Sequence, residues 1–277
     1  PCTVDKHIDA IVGELVNEHG VEMTRGGCWK PRSNAGSFPG FGKRAVEWLL
    51  QAAKHHGAKV VFLEVIDETH LVDVQQIHAK VGFEGTIVLW VGARTNNQIL
   101  LRKLGRQTDY PVMIKNPIRA RSVREWANLA EFIIAGEVHF DEDGQLIEQA
   151  SLTQGNDRIM LCSRGVENDD PDSPFRFEPR HSWIQVVREK YWMPVGVDPS
   201  HSAGTMENDL VFSNLQAALV YKPAFTLVEV YPDGQTGLCD AQQAVPTSRI
   251  GELQEILAQH NAAHYPAESP VATAVAS

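Results

Sequence analysis

Residues 59–94 read KVVFLEVIDETHLVDVQQIHAKVGFEGTIVLWVGAR, two apolar runs separated by an amphipathic stretch. The first run, 59–65, is apolar on both faces, as strands of a helix-covered parallel sheet are. Residues 68–81 show helical periodicity, and TIVLWVG (86–92) is a second buried strand. Both runs lead to a charged side chain, Glu64 and Arg94. Toward the N-terminus lie a helix over 3–20, stopped by Gly20, a short strand in EMTRGGC (22–28), a Gly/Pro/Ser-rich loop (30–42) and a helix over 43–56. Toward the C-terminus the pattern continues as strand 111–116, helix 121–135, strand 158–165, helix 180–191, strand 193–201, helix 208–220, strand 224–231 and helix 246–260. Strict alternation of this kind marks a parallel α/β fold.

Two architectures meet that description, an open doubly wound sheet and a (β/α)8 TIM barrel. An open sheet gathers its functional residues at one switch point. Here such residues follow every strand, so the expected fold is the barrel, whose active site is built from all the strand C-termini. Seven strands are visible, and the first strand of the barrel is expected ahead of Cys2. The chain of 277 residues matches the ~250 that one barrel uses. Residues 1–260 then form a single catalytic domain and 261–277, rich in Ala, Pro, Val and Ser, a loose tail. Segment 136–157 is long for a connection, and its DEDG suggests a small hairpin.

A formal net charge of −10 argues against non-specific nucleic-acid binding. No apolar run is long enough for a membrane span, and no signal peptide is seen. The four cysteines (2, 28, 162 and 239) form no C-x-x-C pair, which disfavours a zinc ribbon and favours a reducing cytoplasm. Cys28, Cys162 and Cys239 read as small buried residues.

Against that acidic background, Arg25, Lys30, Arg32, Arg94, Lys115 and Arg164 all fall at or just past strand ends. Guanidinium forks and lysine point charges hold phosphate and carboxylate oxygens. Each cation alone is as readily an ordinary ion pair. Six together suit two phosphorylated reactants, one also a carboxylate. Cys2, His201, Glu229 and Asp240 follow the first, seventh and eighth strands, neighbours in a closed barrel, and form a borderline donor set for one divalent ion: manganese, iron, cobalt or zinc in preference to calcium. Among the remaining features, Gly36–Gly42 is a weak phosphate cradle, Glu167–Asp170 a solvated loop, and His55-His56 an exposed helix C-terminus. Trp48, Trp126, Trp183 and Trp192 are expected to pack helices on the barrel, and Trp29 and Trp90 to wall the pocket.

Eight short motifs occur here in the order of a known family: Pro1-Cys2-Thr3-Val4, Arg25 to Ser33 (RGGCWKPRS), Trp90 to Arg94 (WVGAR), Pro111 to Asn116 (PVMIKN), Leu161 to Gly165 (LCSRG), Val197 to His201 (VDPSH), Val228 to Pro232 (VEVYP) and Asp240 to Gln243 (DAQQ). They resemble the type I 3-deoxy-D-arabino-heptulosonate 7-phosphate (DAHP) synthases, over about residues 1–256, and the related octulosonate 8-phosphate synthases. The Lys-Pro-Arg-Ser form at 30–33 resembles the heptulosonate branch. The resemblance implies condensation of phosphoenolpyruvate with erythrose 4-phosphate, at the head of the shikimate pathway to aromatic amino acids. It implies that Arg94, Lys115 and Arg164 hold phosphoenolpyruvate with Arg25 and Lys30 beside it, that Lys30 donates a proton near the aldehyde, and that Arg32 and Ser33 bind the aldose phosphate. Cys2, His201, Glu229 and Asp240 would hold manganese or a similar ion, and the chain would be a homo-oligomer. Ser163 stands where the family often has Glu, and Asn34-Ala35-Gly36 and loop 166–179 depart from its pattern. A different aldose acceptor in a specialised pathway, or a catalytically silent regulatory barrel, are the alternatives.

Overall fold

In a computed structural model the described residues are 3–32, 34–147, 155–233 and 236–264. Cys2, Ser33 and most of the expected tail lie outside them. Strands β1 (Met23–Gly26), β2 (Val60–Val65), β3 (Thr86–Val91), β4 (Val112–Lys115), β5 (Ile159–Ser163) and β6 (Val195–Val197) form one parallel sheet in sequence order. A further parallel bridge, Val197 to Thr226, extends the curl by one segment. Strands β7 (Val230–Tyr231) and β8 (Val245–Pro246) pair separately. The architecture is therefore a curled parallel sheet with helices outside it, and no closed ring of eight strands is seen among the described residues.

The apolar strands are buried on both faces for different reasons. Val61, Leu63 and Val65 of β2 join the main core beneath the helices, with Val46, Leu49 and Leu50 of helix α2 (Lys43–His56). Phe62 points the other way, into an inner cluster with Val88, Trp90, Met113, Cys162 and Leu227. Because the strands are parallel and in register, Lys115 beside Cys162 and Glu64 beside Trp90, their C-terminal residues share one rim.

Most expected elements occur with shifted ends. The first helix is α1 (Ile8–Asn17) and the next after β2 is α3 (His70–Val81). Helix α4 (Gln98–Gly105) opens with Asn97 Oδ1 accepting from Leu100 N–H. The helix expected over 121–135 is two, α5 (Val123–Ala127) and α6 (Leu129–Ala135), joined at Asn128. Beyond β5 come α7 (Ser182–Lys190), α8 (Pro199–Ala203), α9 (Leu210–Leu219) and α10 (Ile250–His264), the last running four residues past the expected domain end. Of the expected strand 224–231, residues 224–227 hydrogen-bond to β6, while Val230–Tyr231 pair with β8 instead. The hairpin in 136–157 is present, with Phe140 bridged to Leu146 and Gly144 at φ 77 in its turn.

The expected seam of the barrel is filled by the first described residues. Val4 packs where a Cβ on Gly26 would meet its methyl at 2.4 Å. Asp5 Oδ2 accepts from the Tyr231 hydroxyl at 2.9 Å, and Thr3 Oγ1 lies 2.9 Å from Cys239 Sγ. Two expectations fail on burial. Trp192 is 58% exposed, on the short turn after α7 where no helix covers it. Cys239 is half-buried, its Sγ against Thr3 Oγ1.

Candidate active site

At the strand C-termini a chain of charged groups runs around the rim. Glu229 accepts from Arg25 in a buried ion pair, and Arg25 and Lys115 lie 6.0 and 5.6 Å from the Trp90 ring. Trp90 is thus the floor beneath two cations. Lys115 Nζ donates to Asp198 Oδ2 at 2.5 Å, and the same carboxylate sits 2.8 Å from His201 Nδ1. Asp198 is wholly buried. Burial alone would raise its pKa, but the charges of His201, Lys115 and Arg25 hold it well below the usual carboxylate range. Burial lowers His201, and Asp198 pulls against that.

Arg164 lies buried beside this group, its guanidinium 3.9 Å from the Phe177 ring. Desolvation, the largest cause, brings it down to about 10, with Arg176 and Arg94 adding repulsion. Its buried Nη1 has no hydrogen-bond partner. A guanidinium that keeps a buried donor unmet beside two more cations is poised for an anion. Asn116 Oδ1 accepts from the Arg164 backbone N–H at 2.7 Å and fixes the strand end.

The loop carrying Lys30 and Arg32 folds back on itself. Pro39 and Phe38 carbonyls accept from Lys30 N–H (2.9 Å) and Arg32 Nε (2.8 Å). Gly40, at φ 91, lies so close to the Cys28 carbonyl that a Cβ would meet it at 2.1 Å. This turn admits only glycine. Lys30 is buried at the rim and Arg94 exposed at its edge.

The sequence profile of the DAHP synthetase I family matches residues 1–264. The chain belongs to that family. It is 28% identical over 254 residues to the phospho-2-dehydro-3-deoxyheptonate aldolase of Thermotoga maritima, covering 91% of this chain and 66% of that protein. It therefore spans about two thirds of the length of that relative. The crystal structure of the Thermotoga maritima phospho-2-dehydro-3-deoxyheptonate aldolase (DAHP synthase) superposes with a TM-score of 0.75 at 28% identity, covering 95% of this chain and 68% of that one. A truncated form of the 3-deoxy-D-arabino-heptulosonate 7-phosphate synthase from the same organism gives 0.74 at 26% identity, covering 95% and 85%.

For a DAHP synthetase I chain, the expected donors to a divalent ion are Cys2, His201, Glu229 and Asp240. Glu229 Oε1 is buried without a hydrogen-bond partner, while its backbone N–H donates to Ser200 Oγ at 2.9 Å, next to His201. Asp198 on Nδ1 leaves the other His201 nitrogen for an ion, the outer-shell arrangement of metal-bound imidazoles. Asp240 lies 3.6 Å from Arg176 Nη1. His201, Glu229 and Asp240 do not bring donor atoms within 4.8 Å of one another among the described residues. Arg25 and Arg176 neutralise the two carboxylates instead. Imidazole, two carboxylates and the thiol of Cys2, which lies outside the described residues, fit a divalent ion chemically.

Sequence reasoning missed several residues here. Asp198 enters the sequence reading only as a letter of the VDPSH motif, yet it joins Lys115 to His201. Arg176 and Phe177 come from loop 166–179, brought in where Ser202 and Ala203 carbonyls accept from their backbone N–H groups at 3.1 and 3.2 Å. Gln243 is buried with neither amide atom partnered. With Arg176, Gly204 and Asp240 it lines a cavity of about 280 Å³. A lone Arg in an irregular loop and the last Gln of DAQQ carried no pattern that would single them out.

Proposed function

We propose that this chain condenses phosphoenolpyruvate with erythrose 4-phosphate, forming DAHP and releasing inorganic phosphate. The observation that carries this reading is the buried, unmet donor of Arg164 within a rim that also holds Arg25, Lys115 and Arg94. Membership of the DAHP synthetase I family supports it. Arg94, Lys115 and Arg164 hold phosphoenolpyruvate. Arg32 and Ser33 hold the aldose phosphate. Lys30 donates a proton to the aldehyde oxygen as the new C–C bond forms, water adds to C2 of phosphoenolpyruvate, and phosphate departs from that carbon by C–O cleavage, leaving the C2 ketone. A divalent ion, manganese first, held by Cys2, His201, Glu229 and Asp240 would polarise the aldehyde carbonyl. Asp198 keeps His201 and Lys115 oriented. Enclosing both reactants makes the bond-forming step effectively unimolecular.

The proposal extends to a closed (β/α)8 barrel as one catalytic domain that takes in α10 to His264. It also extends to a cytoplasmic homo-oligomer serving the shikimate pathway. Among the described residues no helix is long and apolar enough to cross a membrane. Loop 166–179 supports a second reading in which another aldose phosphate is the acceptor, because Arg176 adds a cation on the side of Asp240.

The test is phosphoenolpyruvate loss and phosphate release with manganese and erythrose 4-phosphate, before and after chelation. Turnover lost on chelation and restored by manganese is expected. Turnover only with another aldose phosphate selects the second reading, and none with any aldehyde rejects both.

A further inference from the structure

Away from the rim, the C-terminal end of α2 meets the first turn of α1. Asp9 Oδ1 lies 3.1 Å from His55 Nδ1 and 3.2 Å from His56 Nε2, and all three donor atoms lie within 4.8 Å of one another. Metal bonds of about 2.0–2.1 Å at tetrahedral angles separate neighbouring donors by about 3.3–3.4 Å. The two carboxylate–imidazole separations are already close to that spacing.

The surroundings prepare His56 in particular. Gly13 of α1 has no side chain, and a Cβ there would meet the His56 ring at 2.8 Å. The ring therefore lies against α1, and its Nε2 is buried without hydrogen-bond geometry to any partner. Its Nδ1 meets the Asn17 side-chain amide at 3.3 Å. The Asn17 Nδ2 donates to Nδ1, so the ring proton sits on Nε2, facing Asp9 Oδ1 at 3.2 Å, and a divalent ion there would displace that proton. Asp9 Oδ1 is within reach of both rings, but only His55 Nδ1 meets hydrogen-bond geometry to it.

We propose that Asp9, His55 and His56 form a second divalent-cation site, separate from the rim, that ties α1 to α2. Two imidazoles and one carboxylate with a fourth position for water suit zinc, nickel or cobalt better than magnesium or calcium. Binding the folded state alone, the ion stabilises it by mass action. It also anchors the helix that follows the seam residues Thr3–Asp5.

The test needs no turnover. The full chain carrying His201→Ala, which weakens the rim donors, is stripped with a chelator and titrated with zinc by calorimetry. Its thermal unfolding is followed with and without zinc. The parent is expected to bind zinc and to unfold at a higher temperature with it. His55→Ala and Asp9→Asn are each expected to bind at least about tenfold more weakly, the lower bound for losing even an outer-shell partner, and to lose most of the zinc-dependent rise. Both side chains are mostly exposed, 69% and 59%, so their replacement leaves the fold intact. Equal zinc affinity in parent and variants overturns the proposal, and so does a parent that binds no zinc.

Discussion

At the scale of single residues, Asp198 is the member of the rim on which most others depend. It holds Lys115 at 2.5 Å and His201 at 2.8 Å with no solvent contact. Asp198→Asn leaves the Lys115 ammonium buried without its counter-charge. The expected cost is about 3–5 kcal/mol in urea unfolding. Lys80→Ala, which breaks the exposed pair with Glu47, is expected to cost no more than about 1 kcal/mol. Gln243 shows the opposite balance. Its amide is buried and unpartnered, so Gln243→Leu should stabilise the ligand-free chain, by up to about 1–3 kcal/mol, while lowering turnover. Unfolding midpoint and steady-state rate on one preparation check both signs. Destabilisation with full turnover would count against a ligand-facing amide.

Packing between elements rests on close backbone approach at a few glycines. Helices α4 and α6 meet where a Cβ on Gly105 would lie 2.1 Å from the Ile133 carbonyl oxygen, and Gly155 approaches the same oxygen as closely. Alanine at 105 gains about 1 kcal/mol of helix propensity. It must then push α6 away, at about 1–3 kcal/mol. Since the obstacle is backbone, which cannot rotate aside, the second effect wins. Gly105→Ala is expected to lower the thermal midpoint, and an unchanged or higher midpoint would refute this account of the contact.

Across the whole molecule, the curled sheet is held shut by side chains more than by a strand ladder. Arg25 on β1 pairs with Glu229, and Tyr231 donates to Asp5. Tyr231→Phe strands a buried carboxylate oxygen and is expected to cost about 1–3 kcal/mol with an unchanged denaturant slope. It should also weaken manganese binding, because the residue beside Thr3 is the expected ligand Cys2. High pH loads the same structure from within. Burial, the main cause, raises Cys162 to about 12 and Cys28 further, from an ordinary value of 9.0. A raised folded value means stability is intact below pH 9 and lost above it, as unfolded thiols ionise and buried ones cannot. Each thiol contributes a fall of about 1.4 kcal/mol per pH unit. Denaturation at pH 8 and pH 10 should differ accordingly, and Cys162→Ala should reduce the difference.

The amino-acid sequence alone determined the order of strands and helices and the placing of cations at strand ends. Runs such as residues 59–65 and 86–92 need cover on both faces, and parallel strands put like ends together. Only the tertiary structure decided which acid serves which cation. Asp198 and Lys115 are 83 residues apart, and Arg25 and Glu229 are 204. No local pattern encodes such pairings, because they depend on which side chains the curled sheet brings within a few ångströms. For the same reason Arg176 and Phe177 were invisible in an irregular loop. Backbone hydrogen bonds to the end of α8, and not any periodicity, carry them to Arg164.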